Sequence, residues 1–197
     1  VKVPLAGLSV AKVIGMDVVV TNGDKTAAFN DLTGKQGTSS KYYVKVTMKP
    51  GVEEAAYGTV TVDGDKDAAW DNAGTIPITI NLGSNVSANA KLLWDKDNLY
   101  VYAEIKDPVL NNTNGDAWEQ DSLEVFIDEN NGKSNSYEDD DKQYRISYVN
   151  DHSFNGKKCL EENMKSVAKI TSDGYVVEAS FKWTDITPKA GDEIGLE

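Results

Sequence analysis

Trp118 stands in text where an indole has little apolar company. Around it lie Asn111, Asn112, Asn114, Gly115, Asp116, Glu119 and Gln120, and an alternation of polar and apolar residues begins just after it at Ser122. A core tryptophan is expected inside an apolar alternation, as Trp94 is. An exposed indole presents a flat face to the C–H side of a pyranose ring, while carboxylate, guanidinium and amide groups nearby bond the hydroxyls. If 122–127 is a strand, Ser122, Glu124 and Phe126 share one face, which sets Glu124 near the indole. Arg145, on a strand-like segment shortly afterwards, brings a donor fork that would hold Glu124 in place. Periodicity alone leaves open a second reading, in which Trp118 is an interior anchor.

Two other groupings are acidic. Asp63, Asp65 and Asp67 alternate just ahead of Trp70 as hard oxygen donors, the ligand type Ca²⁺ takes. The glycine falls too early for an EF-hand and no glutamate closes the loop, so an acidic turn before a core tryptophan accounts for the same text. The second grouping is Asp128-Glu129-Asn130-Asn131-Gly132 followed by Tyr137-Glu138-Asp139-Asp140-Asp141. Adjacent carboxylates repel unless solvent, Lys142, Arg145 or a cation screens them. A Ca²⁺ shared with Asp128 or Asp107 and a solvated loop both fit. Neither grouping isolates the paired acid and base that a glycosidase needs. His152, the single histidine, follows Asp151 in a polar loop and has no Ser or Cys nucleophile motif beside it. Cys159, the single cysteine, excludes an internal disulfide. Catalysis is not expected.

The elements that must position these groups read as strands. Segments 18–20, 42–46, 59–62, 76–80, 90–94, 99–105, 122–127, 143–148, 167–170 and 175–181 are short and rich in β-branched and aromatic residues. Turn text separates them, for example Asp95-Lys96-Asp97-Asn98, Asn130-Asn131-Gly132-Lys133 and Ser172-Asp173-Gly174. Only 160–164 and 183–186 suit a helical turn. The economical architecture is all-β, an antiparallel, jelly-roll-like β-sandwich with Trp70, Trp94 and Trp183 in its core.

The chain has 197 residues, enough for one full-sized core, and its net charge of −12 disfavours nucleic acid and anionic membranes. No apolar run approaches spanning length, so membrane insertion is not expected. A neutral polysaccharide and a cation suit this surface better. The two ends of the chain look alike: Pro4-Leu5-Ala6-Gly7 leads to Ile14-Gly15-Met16-Asp17, and Pro188-Lys189-Ala190-Gly191 leads to Ile194-Gly195-Leu196-Glu197. An offset of about 180 residues is too long for a solenoid and suits a tandem domain.

Residues 118–131 closely resemble the family 9 carbohydrate-binding modules of bacterial xylanases, and the likeness continues through Tyr137 to Arg145. Val62-Asp63-Gly64 with Trp70, Leu93-Trp94-Asp95, Lys106-Asp107-Pro108-Val109-Leu110-Asn111, and Gly174-Tyr175-Val176-Val177-Glu178-Ala179 with Trp183 follow in the family's order. The resemblance implies a calcium-containing β-sandwich that grips xylan, cellulose or cello- and xylo-oligosaccharides, often by their reducing ends, between two tryptophans. It makes Trp118 one stacking face and Glu124 and Arg145 hydrogen-bonding partners. Asp63, Asp65, Asp107, Asp128 and Asp140 become the candidate Ca²⁺ ligands. The resemblance also implies a secreted or cell-surface location and a parent endo-1,4-β-xylanase.

The departure lies at the front. Residues 1–49 resemble the last strands of a preceding module copy, 50–57 a connector, and 58–197 the body of the next copy, all closing as one sandwich in permuted order. Val19 replaces an expected glutamine, and Gly34-Lys35-Gln36-Gly37-Thr38 stands where a tryptophan-bearing loop would be. Phe29, Tyr42 and Tyr43 are the aromatics left to replace it. Two further expectations follow: exchange of terminal strands would give a swapped dimer, and loss of sugar binding would leave a calcium-stabilised spacer or cell-surface repeat.

Overall fold

The computed structural model describes residues 13–16, 19–22, 25–28, 44–47, 53–78 and 85–197. Contacts divide the chain into two units, 1–52 and 53–197. In the first, β1 (Val13–Met16) pairs antiparallel with β4 (Val44–Thr47), and β2 (Val19–Asn22) pairs antiparallel with β3 (Lys25–Ala28). Phe29, Tyr42, Tyr43 and the 34–38 loop lie outside the described residues.

The second unit is a β-sandwich. Its larger sheet runs β12 (Met164–Ile170), β13 (Gly174–Lys182), β8 (Asn98–Lys106), β7 (Ser87–Trp94) and β5 (Ala56–Tyr57), with β6 (Ile76–Ile78) also on β7. The smaller sheet runs β11 (His152–Asn155), β10 (Asp141–Ser147), β9 (Ser122–Asp128) and β14 (Gly195–Leu196). Every strand of both sheets comes from 56–196, so the expected completion by front strands has no counterpart among the described pairings.

Alternation explains the layers. On β9, Leu123, Val125 and Ile127 are buried, and on β10 so are Tyr144 and Ile146; the intervening residues face outward. These inner side chains pack against Leu99, Val101, Ala103, Ile105, Val177, Ala179 and Phe181 of the larger sheet. Tyr144 and Phe181 meet across the interface with ring centroids 4.7 Å apart.

The outer face of the larger sheet is closed by the segment before β6. Trp70, on a 3-10 turn at Ala68–Asn72, is fully enclosed with Leu93, Tyr100 and Tyr102. Its Nε1 donates to Glu178 Oε1 at 2.9 Å, while the amides of Asp63 and Gly64 donate to Oε2 at 2.9 and 2.8 Å. Those bonds draw 59–62 out of any ladder, correcting the expected strand there, and Val60 and Val62 pack on the Trp70 cluster instead. Gly64 has φ +80, and a Cβ there would lie 2.8 Å from the Lys169 side chain, so glycine is required.

Trp94 and Trp183 are half-buried rather than enclosed. Trp183 Nε1 donates to the Asp95 carbonyl at 3.0 Å, and Trp94 meets Tyr57 edge-on. The helical turn expected at 183–186 is absent because the amides of Thr184, Asp185 and Ile186 are donated to Glu129. The turn at Glu161–Asn163 does form. Glu129 and Lys142 are each 1% exposed and meet at 2.6 Å. The amides from 184–186 complete the solvation of that pair, without which its desolvation would dominate.

Trp70→Ala removes the enclosed ring and strands the Glu178 carboxylate. It is expected to cost about 3–5 kcal/mol, read as a lower denaturant midpoint.

Candidate functional site

The outward residues of the smaller sheet form an ordered polar array. Glu124 stands directly opposite Arg145 in the β9–β10 register. Arg145 Nε donates to Glu124 Oε1 at 2.7 Å, and Gln143 Nε2 donates to Oε2 at 2.9 Å. Arg145 Nη1 donates to Ser153 Oγ at 2.7 Å, and Asn155 Nδ2 donates to Gln143 Oε1 at 3.3 Å. Five side chains on three strands thus hold one another, and the Glu124 and Arg145 side chains remain 28% and 12% exposed. The pair is fixed yet open to a ligand. Burial pushes the Glu124 carboxyl up, but the bonds from Arg145 and Gln143 outweigh it and hold it below its ordinary value of 4.5.

Trp118 lies on a 3-10 turn, Ala117–Glu119, just before β9, and is 65% exposed. The sequence predicts its place ahead of a strand, and the local bonds show why it is held there. Asn114 Nδ2 donates to the Glu119 carbonyl at 2.8 Å, and Gln120 Nε2 donates to the Asn114 carbonyl at 2.6 Å. The base is closed by the Asn111 amide on Asp121 Oδ2 at 2.6 Å. A small depression of about 30 Å³, lined by Ala117, Gln120, Arg145, Ser147, His152 and Ser153 among others, joins this turn to the arginine. The structure therefore brings the Trp118 turn and Arg145 to one place, with Glu124 bonded to Arg145. Gln143, Ser153 and Asn155 were missed in the sequence; the alternation through Gln143 and Arg145 was the signal for the first.

The candidate metal ligands separate into three places. Asp63 accepts the Asp65 amide at 2.9 Å, and Asp65 pairs with Lys169 at 2.7 Å. Asp107 accepts the Val109 amide at 3.0 Å. Asp128 and Asp140 instead come together with Asp141, their carboxylate oxygens within 4.8 Å of one another. Asp128 accepts the amides of Gly132 and Lys133, Asp140 the amide and Nδ2 of Asn130, and Asp141 the amide of Glu138. Among the described residues, no Lys or Arg forms an ion pair with these three carboxylates. Lys142 goes to Glu129 and Lys157 to Asp139. Hard oxygens with lone pairs to spare are the donor set that suits Ca²⁺.

Comparison with known proteins agrees with the β-sandwich fold. The family model described as carbohydrate family 9 binding domain-like matches residues 62–197. The chain belongs to that family. Endo-1,4-beta-xylanase A of Thermotoga neapolitana is 42% identical over 188 residues, covering 93% of this chain and 18% of the relative. The chain thus spans about a fifth of the length of the curated relatives it matches. Two solved structures of a family 9 module from Caldicellulosiruptor kristjanssonii, one in complex with cellotriose and one with glucose, each give a TM-score of 0.68. They are 36% and 35% identical, and cover 72% of this chain and 72% and 73% of theirs.

In this family 9 module, the depressed Glu124 carboxyl makes the Glu124–Arg145 pair's stability contribution complete above about pH 4.5 and lost as pH falls through its lower folded value. The melting-temperature difference between the native protein and Glu124→Gln should therefore hold constant above pH 4.5 and shrink below it, as followed by thermal denaturation across a pH series.

Proposed function

We propose that this family 9 module binds neutral plant cell-wall polysaccharide without catalysis, taking xylan or cellulose chains, their reducing ends, or the derived oligosaccharides. The observation that carries this reading is the Glu124–Arg145 pair, already ordered by Gln143 and Ser153, next to the turn that exposes the Trp118 indole. A ring face for stacking and fixed polar groups for hydroxyls are what a pyranose needs, and little is lost in ordering them. The solved relatives with cellotriose and glucose support the ligand class. The xylanase relatives support a role in holding a secreted, longer xylan-degrading chain on its substrate.

A structural Ca²⁺ belongs to the same proposal. Asp128, Asp140 and Asp141 would hold it at the ends of β9 and β10, where it would offset their mutual repulsion and brace the loop between the strands.

Calorimetry with xylo- and cello-oligosaccharides tests the sugar claim. Trp118→Ala should lower affinity by about tenfold or more, corresponding to roughly 1.4 kcal/mol, with the melting temperature unchanged. No binding by the native protein would overturn the claim and leave a spacer. For the metal, excess chelator should lower the melting temperature by about 5 °C or more, and an unchanged melting curve would remove Ca²⁺ from the account.

A further inference from the structure

Asparagine followed by glycine is a dipeptide that reacts with itself. The glycine amide nitrogen attacks the asparagine Cγ, a C–N bond forms and ammonia leaves. The resulting succinimide takes up water to give aspartate or isoaspartate. Glycine permits this because no Cβ obstructs the approach. The chain contains four such steps, at 22–23, 114–115, 131–132 and 155–156. Gly23 lies outside the described residues, and the other three steps sit in different surroundings.

Two of the three are restrained around the attacking nitrogen. The Gly132 amide donates to Asp128 Oδ1 at 3.0 Å, which holds the proton that must be shed before attack. A Cβ at 132 would lie 2.7 Å from Glu138 Oε2, so a second carboxylate crowds the same spot and disfavours an anionic nitrogen. Asn155 ends β11 in register with Gln143, and its Nδ2 donates to Gln143 Oε1 at 3.3 Å. Gly156, at φ +122, packs so closely on β10 that a Cβ there would collide with the Asp141 carbonyl. The backbone has little room to turn toward the side chain.

Asn114 and Gly115 lack those restraints. Both are exposed, and a Cβ at 115 would meet nothing within 4 Å. Among the described residues, none accepts a hydrogen bond from the Gly115 amide. The Asn114 side chain is held by one exposed bond, from Nδ2 to the Glu119 carbonyl at 2.8 Å. Such a bond favours the held side chain over the free one by a factor of only about five. The carboxamide that the reaction consumes is thus the same group that braces the Trp118 turn.

We propose that Asn114 is a site of spontaneous deamidation, and that its conversion loosens the turn carrying Trp118. The product lacks the Nδ2 donor and sets a carboxylate against the Glu119 carbonyl, with Asp116, Glu119 and Asp121 close by in the chain. Isoaspartate also adds a carbon to the backbone and lengthens the turn. Only the consequence for binding rests on the sugar reading of Trp118.

The test is to age the full chain at mildly alkaline pH, where the amide proton is lost more readily. Peptide mass mapping follows positions 114, 131 and 155, and enzymatic methylation detects isoaspartate. Asn114 should convert at least about fivefold faster than Asn131 and Asn155, the factor expected from one missing restraint. Gly115→Ala, whose Cβ has free space, should bring position 114 down to their rate. Equal conversion at the three positions, or a fast Asn114 that Gly115→Ala does not slow, overturns the site. Hydrogen exchange reads the loosening without any sugar, at the amides of Glu119, Gln120 and Asp121 that the turn bonds. Their exchange should quicken about fivefold as position 114 converts, and unchanged exchange overturns the loosening. Calorimetry with cellotriose should show affinity falling in step with conversion in the native protein and holding steady in Gly115→Ala. Fresh protein that binds nothing, or aged protein that binds as well as fresh while exchange quickens, overturns the Trp118 sugar reading and leaves the deamidation site standing.

Discussion

The period-two alternation of β9 and β10 is the constraint from which the other features follow. Leu123, Val125, Ile127, Tyr144 and Ile146 face inward and fill the sandwich, so Glu124, Phe126, Gln143 and Arg145 must face outward together. Core and candidate site are two sides of one ladder. A slip of one residue would exchange them, burying the charged pair and exposing the apolar set. The packing that stabilises the fold therefore also sets the geometry of the polar array.

Buried carboxylates do the remaining positioning. Glu178 gathers the Trp70 indole and two amides, Glu129 gathers Lys142 and the 184–186 segment, and Asp95 accepts from Thr59, Tyr100, Asp97 and Asn98. Burial raises the Asp95 carboxyl, but those four bonds outweigh it and keep the group below its ordinary range. Each acid ties a loop without regular structure onto a sheet. An acidic chain thus uses part of its charge as interior scaffold, where amide donors take over the solvation that water gave.

Local pattern exposed much of this in advance. β8, β9 and β13 were legible because alternating β-branched and aromatic residues run uninterrupted between turn residues, and Trp118 stood out by its polar company. The 59–62 segment reads as a strand by the same rule, yet its chain neighbours are drawn to Glu178, more than a hundred residues away. No local window holds that information. β11 was hidden for the opposite reason: His152-Ser153-Phe154-Asn155 has weak strand character and is recruited by pairing with β10. Gln143 and Ser153 become members of the polar array only through register. The acidic positions were visible as donors, but which of them converge depends on how the β9–β10 loop folds back.

The placement of the Trp118 turn just before β9 has a further consequence. The strand acts as a ruler between that turn and the acidic loop at its other end. Because side chains return to a face only every second residue, that ruler can be lengthened or shortened only in two-residue steps without turning the array inside out. Related domains could then retune their reach in discrete increments while keeping an identical interior.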